Sequence, residues 1–330
     1  MSSLSGKRIL FFAPKFFNYE LAIKEEMHRQ GATVHLYDER GNPSSIEKII
    51  IRKWHFLLKS KIHKYYKNVV DLEKEFSPDY IFFLSPEVAK KECIELMKSV
   101  FPKAKLILYM YDSLKNKNAK YIYKFFDKCL SFDSDDCKNY GFFFRPLFFA
   151  NSFEPSNTEI EYEHDFCFIG TIHSDRARIL YQLRKQFDTN GYSYFYYLYI
   201  PGKLMYVLRW IFDRYVRKFD KKYIYTTPLE KDRVAEVSEH SRCIIDINHP
   251  KQTGLTMRTI EMLGLKKKLL TTNEHIRDYD FYNPSNQIVV SRKNIIVPAD
   301  NVTDRYAAVD DDEIYNSYSL NAWVLQVFDI

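Results

Sequence analysis

QTGLTMRTIEMLGLKKKLLTTN, residues 252–273, is the stretch on which the reading of this chain turns. An apolar run at 243–247 directly precedes it and reads as a buried strand. Gly254 then marks a turn, and 255–265 has helical spacing with Arg258 and Glu261 one turn apart. A second glycine leads into another apolar run at 268–272. A strand, a tight turn and a helix bearing one fixed cation and one carboxylate suit a nucleoside diphosphate. The helix N-terminus and Arg258 would face the phosphates, and Glu261 would accept from ribose hydroxyls. The spacing equally fits an i,i+3 ion pair on the face of an amphipathic helix.

The same alternation repeats on either side. In the first half, apolar or β-branched runs stand at 8–13, 33–37, 80–84, 105–111 and 129–132, with helical patterns at 19–30 and 86–100. The run 142–150 reads as the last strand of that half, and the polar, proline-containing stretch 151–163 as a linker. The pattern then restarts with a strand at 165–169, Gly170, and a helix at 174–187 with Ser174 as its N-cap. A Tyr-rich strand at 194–200, a basic helical stretch, a helix near 229–240 and strands around Ile245, Leu270 and Val289 follow. The closing DDDEIYNSYSLNAWVLQVFDI reads as one or two helices. Buried strands alternating with helices predict an α/β chain of two Rossmann-like, doubly wound parallel-sheet domains. The expected division is 1–152, 163–308 and a terminal segment 309–330 packing back toward the first domain. A ligand would lie at the carboxyl ends of the strands, in the cleft the two domains face.

Length agrees, because 330 residues exceed the size at which one core usually stops growing. The chain is rich in aromatics, with 26 Tyr and 26 Phe, and its nine glycines and twelve prolines leave little room for flexible linkers. No window of about 18 uncharged apolar residues occurs, so a spanning helix is not expected. The opening MSSLSGKRILFFAPKFF has a short apolar run and no small-residue cleavage site, and reads as a first strand rather than a signal peptide. Five scattered cysteines, Cys93, Cys129, Cys137, Cys167 and Cys243, lack metal spacing and read as reduced thiols of a cytoplasmic protein.

Further constellations carry candidate chemistry. In FIGTIHSDRAR, 168–178, a strand ends in Gly170 and Thr171, Ser174 opens the helix, Gly170 would permit close approach by a phosphate, and Arg176 adds charge. That is a weak relative of a phosphate loop, without GxGxxG or the Walker lysine, and it also fits an ordinary strand–turn–helix junction. Asp112 stands at the exit of an inner strand, where a catalytic carboxylate or a helix cap before Leu114 is expected. Lys15, Asn18 and Tyr19, past the first strand, would line the same cleft on the acceptor side, and a hydrophobic staple accounts for the aromatics as well. Asp133, Asp135 and the acidic run 310–312 superficially resemble a metal-holding Asp-x-Asp pair, but helix capping is the expected role. His173, His249 and His275 share no ligand spacing, and no metal is expected.

Together, FIGTIHSDR, the 252–273 block, FYNP at 281–284 and YSLNAW at 318–323 resemble bacterial capsule and lipopolysaccharide glycosyltransferases of the GT-B fold, near the CgeB-like type. The resemblance covers most of the chain and is strongest over 165–286. It implies an enzyme that moves a sugar from a nucleotide-diphosphate donor, held by the C-terminal domain, to a glycan or lipid-linked glycan acceptor held by the N-terminal domain. It further implies a donor set of Gly170, Thr171, Arg176, Thr256, Arg258 and Glu261, with Arg258 on the diphosphate and Glu261 on the ribose. Asp112 is the candidate base, and no cofactor is implied beyond the nucleotide-sugar itself. The Glu-x7-Glu arrangement of many retaining GT-B enzymes is absent, which leaves retaining and inverting chemistry both open.

Two basic, aromatic stretches stand apart: 48–67, with Trp54, Phe56 and Leu57, and 201–225, with Trp210 and Phe212 beside Arg209, Arg214 and Arg217. They suit an anionic membrane surface presenting a lipid-linked acceptor, on the inner face of the cytoplasmic membrane. They also fit surface helices whose lysines face water, and nucleic acid is not the expected partner.

Overall fold

A computed structural model of the chain describes residues 4–41, 59–114, 118–156, 160–250, 252–297, 306–307 and 312–329. The chain forms two compact units, one of Met1–Leu147 with Leu320–Ile330, the other of Phe148–Ser319. Each is built on a six-stranded, wholly parallel sheet flanked by helices.

The first sheet holds β1 (Arg8–Ala13), β2 (Thr33–Asp38), β3 (Tyr80–Leu84), β4 (Lys105–Met110), β5 (Lys128–Ser131) and β6 (Phe143–Phe144), in the order β2-β1-β3-β4-β5-β6. Register explains the aromatic excess here. Phe11 stands opposite Phe82 and Phe12 opposite Phe83, and successive residues point to opposite faces, so each face receives one stacked pair, at 4.9 and 4.7 Å. One face is covered by the Lys59–Leu72 helix, which buries Ile62, Tyr66, Val69 and Val70. The other receives the last helix, Leu320–Phe328, whose Trp323 lies edge-on to Tyr109 at 4.7 Å and whose Phe328 meets Phe82 at 5.6 Å. Lys128 latches that helix by donating to the carbonyls of Gln326 and Val327 at its C-terminal end.

The second sheet holds β7 (His164–Thr171), β8 (Tyr194–Tyr199), β9 (Ile224–Tyr225), β10 (Ser241–Asp246), β11 (Lys268–Thr271) and β12 (Gln287–Val289), in the order β12-β11-β10-β7-β8-β9. The Arg176–Asn190 helix covers one face with Ala177, Ile179, Leu180, Leu183 and Phe187. Phe187 stacks on Phe166 of β7 at 3.9 Å.

Several expected elements end elsewhere. The run 142–150 contributes only Phe143 and Phe144 to the sheet, because Pro146 has no N–H for a ladder; Phe149 instead bridges Ser319 in the second unit. The helix expected over 86–100 starts at Lys91, since the buried Glu39 carboxylate holds the amides of Glu87 and Val88 in a loop. Ser174 is left-handed, with φ 50°, and does not cap the helix that begins at Arg176. Among the described residues no helix is long and apolar enough to cross a membrane.

Candidate functional site

The helix Met257–Gly264 begins where the sequence places it, and the reason is local. Thr256 is extended (φ −75°, ψ 160°) and its side-chain oxygen accepts from the Thr259 amide. The hydroxyls of Thr256 and Thr259 both donate to one carboxylate oxygen of Asp246, each at 2.9 Å. Asp246 is the last residue of β10 and is buried, so the strand exit is tied to the first helical turn from beneath. The loop before the helix is held by amides. Asn273 donates to the carbonyls of Thr253 and Gly254, and Asn248 donates to that of Gln252. Thr256 therefore positions the helix N-terminus.

Arg258 and Glu261 lie on this helix and face each other, Nη1 to Oε2 at 3.2 Å, with side chains 19% and 4% exposed. Glu261 is thus buried and Arg258 half-buried, so this is not a solvated surface pair. Its geometry leaves Arg258 Nη1 buried without a hydrogen-bond partner.

Arg176 is already engaged. Its guanidinium donates to the carbonyls of Ile247 at 2.7 Å and Thr171 at 2.9 Å, bridging the exits of β10 and β7. Gly170 lies against the Phe168 ring, which a Cβ would meet at a tight 3.1 Å, while Arg176 Nη1 would lie at an ordinary 3.7 Å. Thr171 contributes a carbonyl to the bridge. An arginine satisfied by carbonyls keeps its positive charge for a ligand, although burial lowers its pKa, and Arg292 and Arg258 act in the same direction.

Residues that the sequence reading did not assign complete the cluster. Arg292 donates to Asp175 and to the side chain of Asn248. His173 stands 5.8 Å from His249, ring to ring, and burial, then Arg176, His249 and Arg209, push its pKa down to about 4. The signal available for them was position alone: His173, Asn248 and His249 each follow a strand end by a few residues.

Within the first unit, Asp112 follows β4 half-buried and accepts from the Ser113 amide at 3.0 Å. The cap expected of it at Leu114 belongs to the buried Asp136, 22 residues further on. Lys15 and Asn18 are exposed in the loop after β1, and Tyr19, half-buried, opens the Tyr19–Arg29 helix that follows. Phe16 of that loop stacks on Tyr111 at 5.3 Å, which brings the exits of β1 and β4 together. Phe17 and Asn18 are consecutive left-handed residues, φ 49° and 61°, a strained turn that presents the exposed Phe17. Asp133 caps its helix by accepting from the Asp135 amide; of the run 310–312 only Asp312 is described, in the first turn of a helix.

No family model matches the chain, and no curated protein does. Solved structures do match. A glycosyltransferase from Rickettsia africae is 12% identical, with 98% of this chain and 97% of that one covered at a TM-score of 0.59. HepE from Anabaena, in complex with UDP-glucose, is 10% identical over 98% of both chains at 0.60. A UDP-GlcNAc 2-epimerase from Methanocaldococcus jannaschii is 9% identical, with 98% and 92% covered at 0.50. At such identities the likeness is one of fold: two parallel six-stranded sheets with flanking helices, the GT-B architecture. That fold carries a transferase and an epimerase among these neighbours, so the activity of this chain has to be argued from its residues.

Proposed function

We propose that this chain is a glycosyltransferase of the surface-polysaccharide kind, capsule or O-antigen, that moves a sugar from a nucleoside-diphosphate donor to a glycan or lipid-linked glycan acceptor. The observation that carries the reading is Arg258: a guanidinium in the first turn of a capped helix at the carboxyl edge of a parallel sheet, whose buried Nη1 is ion-paired with Glu261 at 3.2 Å but makes no well-aligned hydrogen bond. The ion pair leaves this donor poorly aligned, and a phosphate oxygen would give it a charge-assisted hydrogen bond. HepE in complex with UDP-glucose and the UDP-GlcNAc 2-epimerase support a ligand of this class.

The chemistry follows from charge. As the glycosidic bond breaks, negative charge grows on the departing diphosphate; in this reading the helix N-terminus, Arg258 and Arg176 would take it up without a metal ion. Glu261 would accept from ribose hydroxyls once Arg258 turns to the phosphates, and Gly170 and Thr171 shape the strand exit beside them. In the other unit, Asp112 is the proposed base for the acceptor hydroxyl, and Lys15, Asn18 and Tyr19 the proposed acceptor contacts.

Calorimetric titration with UDP, GDP, CDP and dTDP tests the donor site. One nucleotide is expected to bind, and Arg258→Ala to weaken it by tenfold or more while EDTA leaves it unchanged. Binding by none of the four, or full affinity in the variant, would remove the proposal. Product analysis with the bound nucleotide's sugar then separates transfer, lost in Asp112→Asn, from epimerisation or mere binding.

A further inference from the structure

Lys203–Phe212, KLMYVLRWIF, is a helix with no buried residue. Tyr206 leans on the core of the second unit, while the remaining apolar side chains face solvent, with Leu204 75% and Phe212 82% exposed and Met205, Val207, Leu208, Trp210 and Ile211 between 40% and 49%. The other basic stretch behaves differently where it is described: the Lys59–Leu72 helix turns its apolar stripe onto the sheet and its lysines to water, and Trp54, Phe56 and Leu57 lie outside the described residues. Leaving so much apolar surface wet costs about 25 cal/mol per Å², so a partner is called for.

We infer that this helix is a docking element that lies flat in the headgroup region of a bilayer containing anionic lipid. Three observations select that occupant. At ten residues the helix is about 15 Å long, half of what spanning needs, so it can lie in the interface but not cross it. Its surroundings are cationic: Lys203, Arg214, Arg217, Lys218, Lys221 and Lys222 are all exposed. Against them stand Asp213, which accepts from the amides of Tyr215 and Val216, and Asp220, which lies 3.7 Å from Arg184. A second copy of this chain docking there would oppose like charges, whereas anionic headgroups complement them, at about 1 kcal/mol per basic residue. The helix end is also prepared for a poorly hydrated setting, because Arg217 donates to the otherwise open carbonyls of Trp210 and Ile211, at 3.1 and 2.6 Å. Such a helix would hold the donor-binding unit at the surface where lipid-linked acceptors are displayed.

Flotation of the full chain with phosphatidylcholine vesicles, with and without phosphatidylglycerol, tests this. Binding is expected only with phosphatidylglycerol, falling as salt rises. Tryptophan emission should shift to the blue on binding, and Trp210→Phe should remove the shift. Leu208→Asp with Phe212→Asp should cut vesicle partition at least tenfold while nucleotide affinity stays unchanged, so that failure here and failure of the donor site are read separately. Absence of binding to anionic vesicles, binding untouched by the double substitution, or a concentration-dependent dimer abolished by it would each overturn the assignment.

Discussion

At the scale of single residues, His173 offers the sharpest handle on the proposed donor site. Its pKa of about 4 makes it neutral at pH 7, because burial and the nearby Arg176, His249 and Arg209 all oppose a proton. In the unliganded protein, the unfolded chain binds a proton below pH 6.5 and the folded chain does not until about 4, so stability falls with acidification through that window. A diphosphate beside the ring reverses the balance: it favours imidazolium, raises the pKa, and couples binding to proton uptake. Affinity for the preferred nucleotide should therefore rise as pH falls from 7 toward 5. The phosphate's own protonation acts oppositely and is common to the wild type and His173→Asn. Calorimetry at several pH values should give the wild type a steeper gain on acidification than the variant. Equal slopes would place His173 away from the phosphates.

The Met257–Gly264 helix sets the donor side at the scale of an element, and its far end is as constrained as its start. A Cβ on Gly264 would lie 2.5 Å from the Phe153 carbonyl oxygen and 2.6 Å from Phe149 Cγ, while Tyr315 donates to the Gly264 carbonyl. Backbone cannot yield as a flexible side chain does, so Gly264→Ala should destabilise the protein by about 1–3 kcal/mol. The displaced helix should also weaken nucleotide binding, which titration of the folded variant reads directly. Gly141→Ala is a useful contrast: φ there is +72° but nothing lies within 4 Å, so only backbone strain opposes it. An unaltered Kd in Gly264→Ala would mean that the helix does not position the phosphates. This element also marks the limit of what spacing can convey. The one-turn separation of Arg258 and Glu261 is visible in the chain, and so are the bounding strands. The carboxylate that braces the helix start, through Thr256 and Thr259, is Asp246, ten residues before Thr256 and joined to it only by folding. Arg176 likewise finds an acceptor 71 residues away, in the Ile247 carbonyl, and no local pattern announces that. For Lys203–Phe212, an all-round apolar pattern ordinarily means burial, and only the fold reveals exposure.

For the molecule as a whole, apolar runs and turn residues carried most of the strand set, because a strand buried on both faces leaves a compact, unbroken signature. The first unit is discontinuous in sequence: Leu320–Ile330 belongs to it, and the Leu320–Phe328 helix covers one face of its sheet after the chain has built the second unit. Trp323 is fully buried there, edge-on to Tyr109 and near Phe82, and Asn321 reaches Glu26 of the Tyr19–Arg29 helix. The residues of the proposed donor set, by contrast, all fall between Gly170 and Glu261, inside the second unit. Structure and ligand affinity should therefore respond separately to the last helix. Trp323→Ala removes a large packed side chain and should cost about 3–5 kcal/mol, read by urea unfolding, a large share of the 5–15 kcal/mol by which domains are usually stable. At a temperature where the variant remains folded, its affinity for the nucleoside diphosphate should match the wild type. A folded Trp323→Ala protein that had lost nucleotide binding would show that the last helix serves the donor site, and that donor recognition is not confined to Phe148–Ser319.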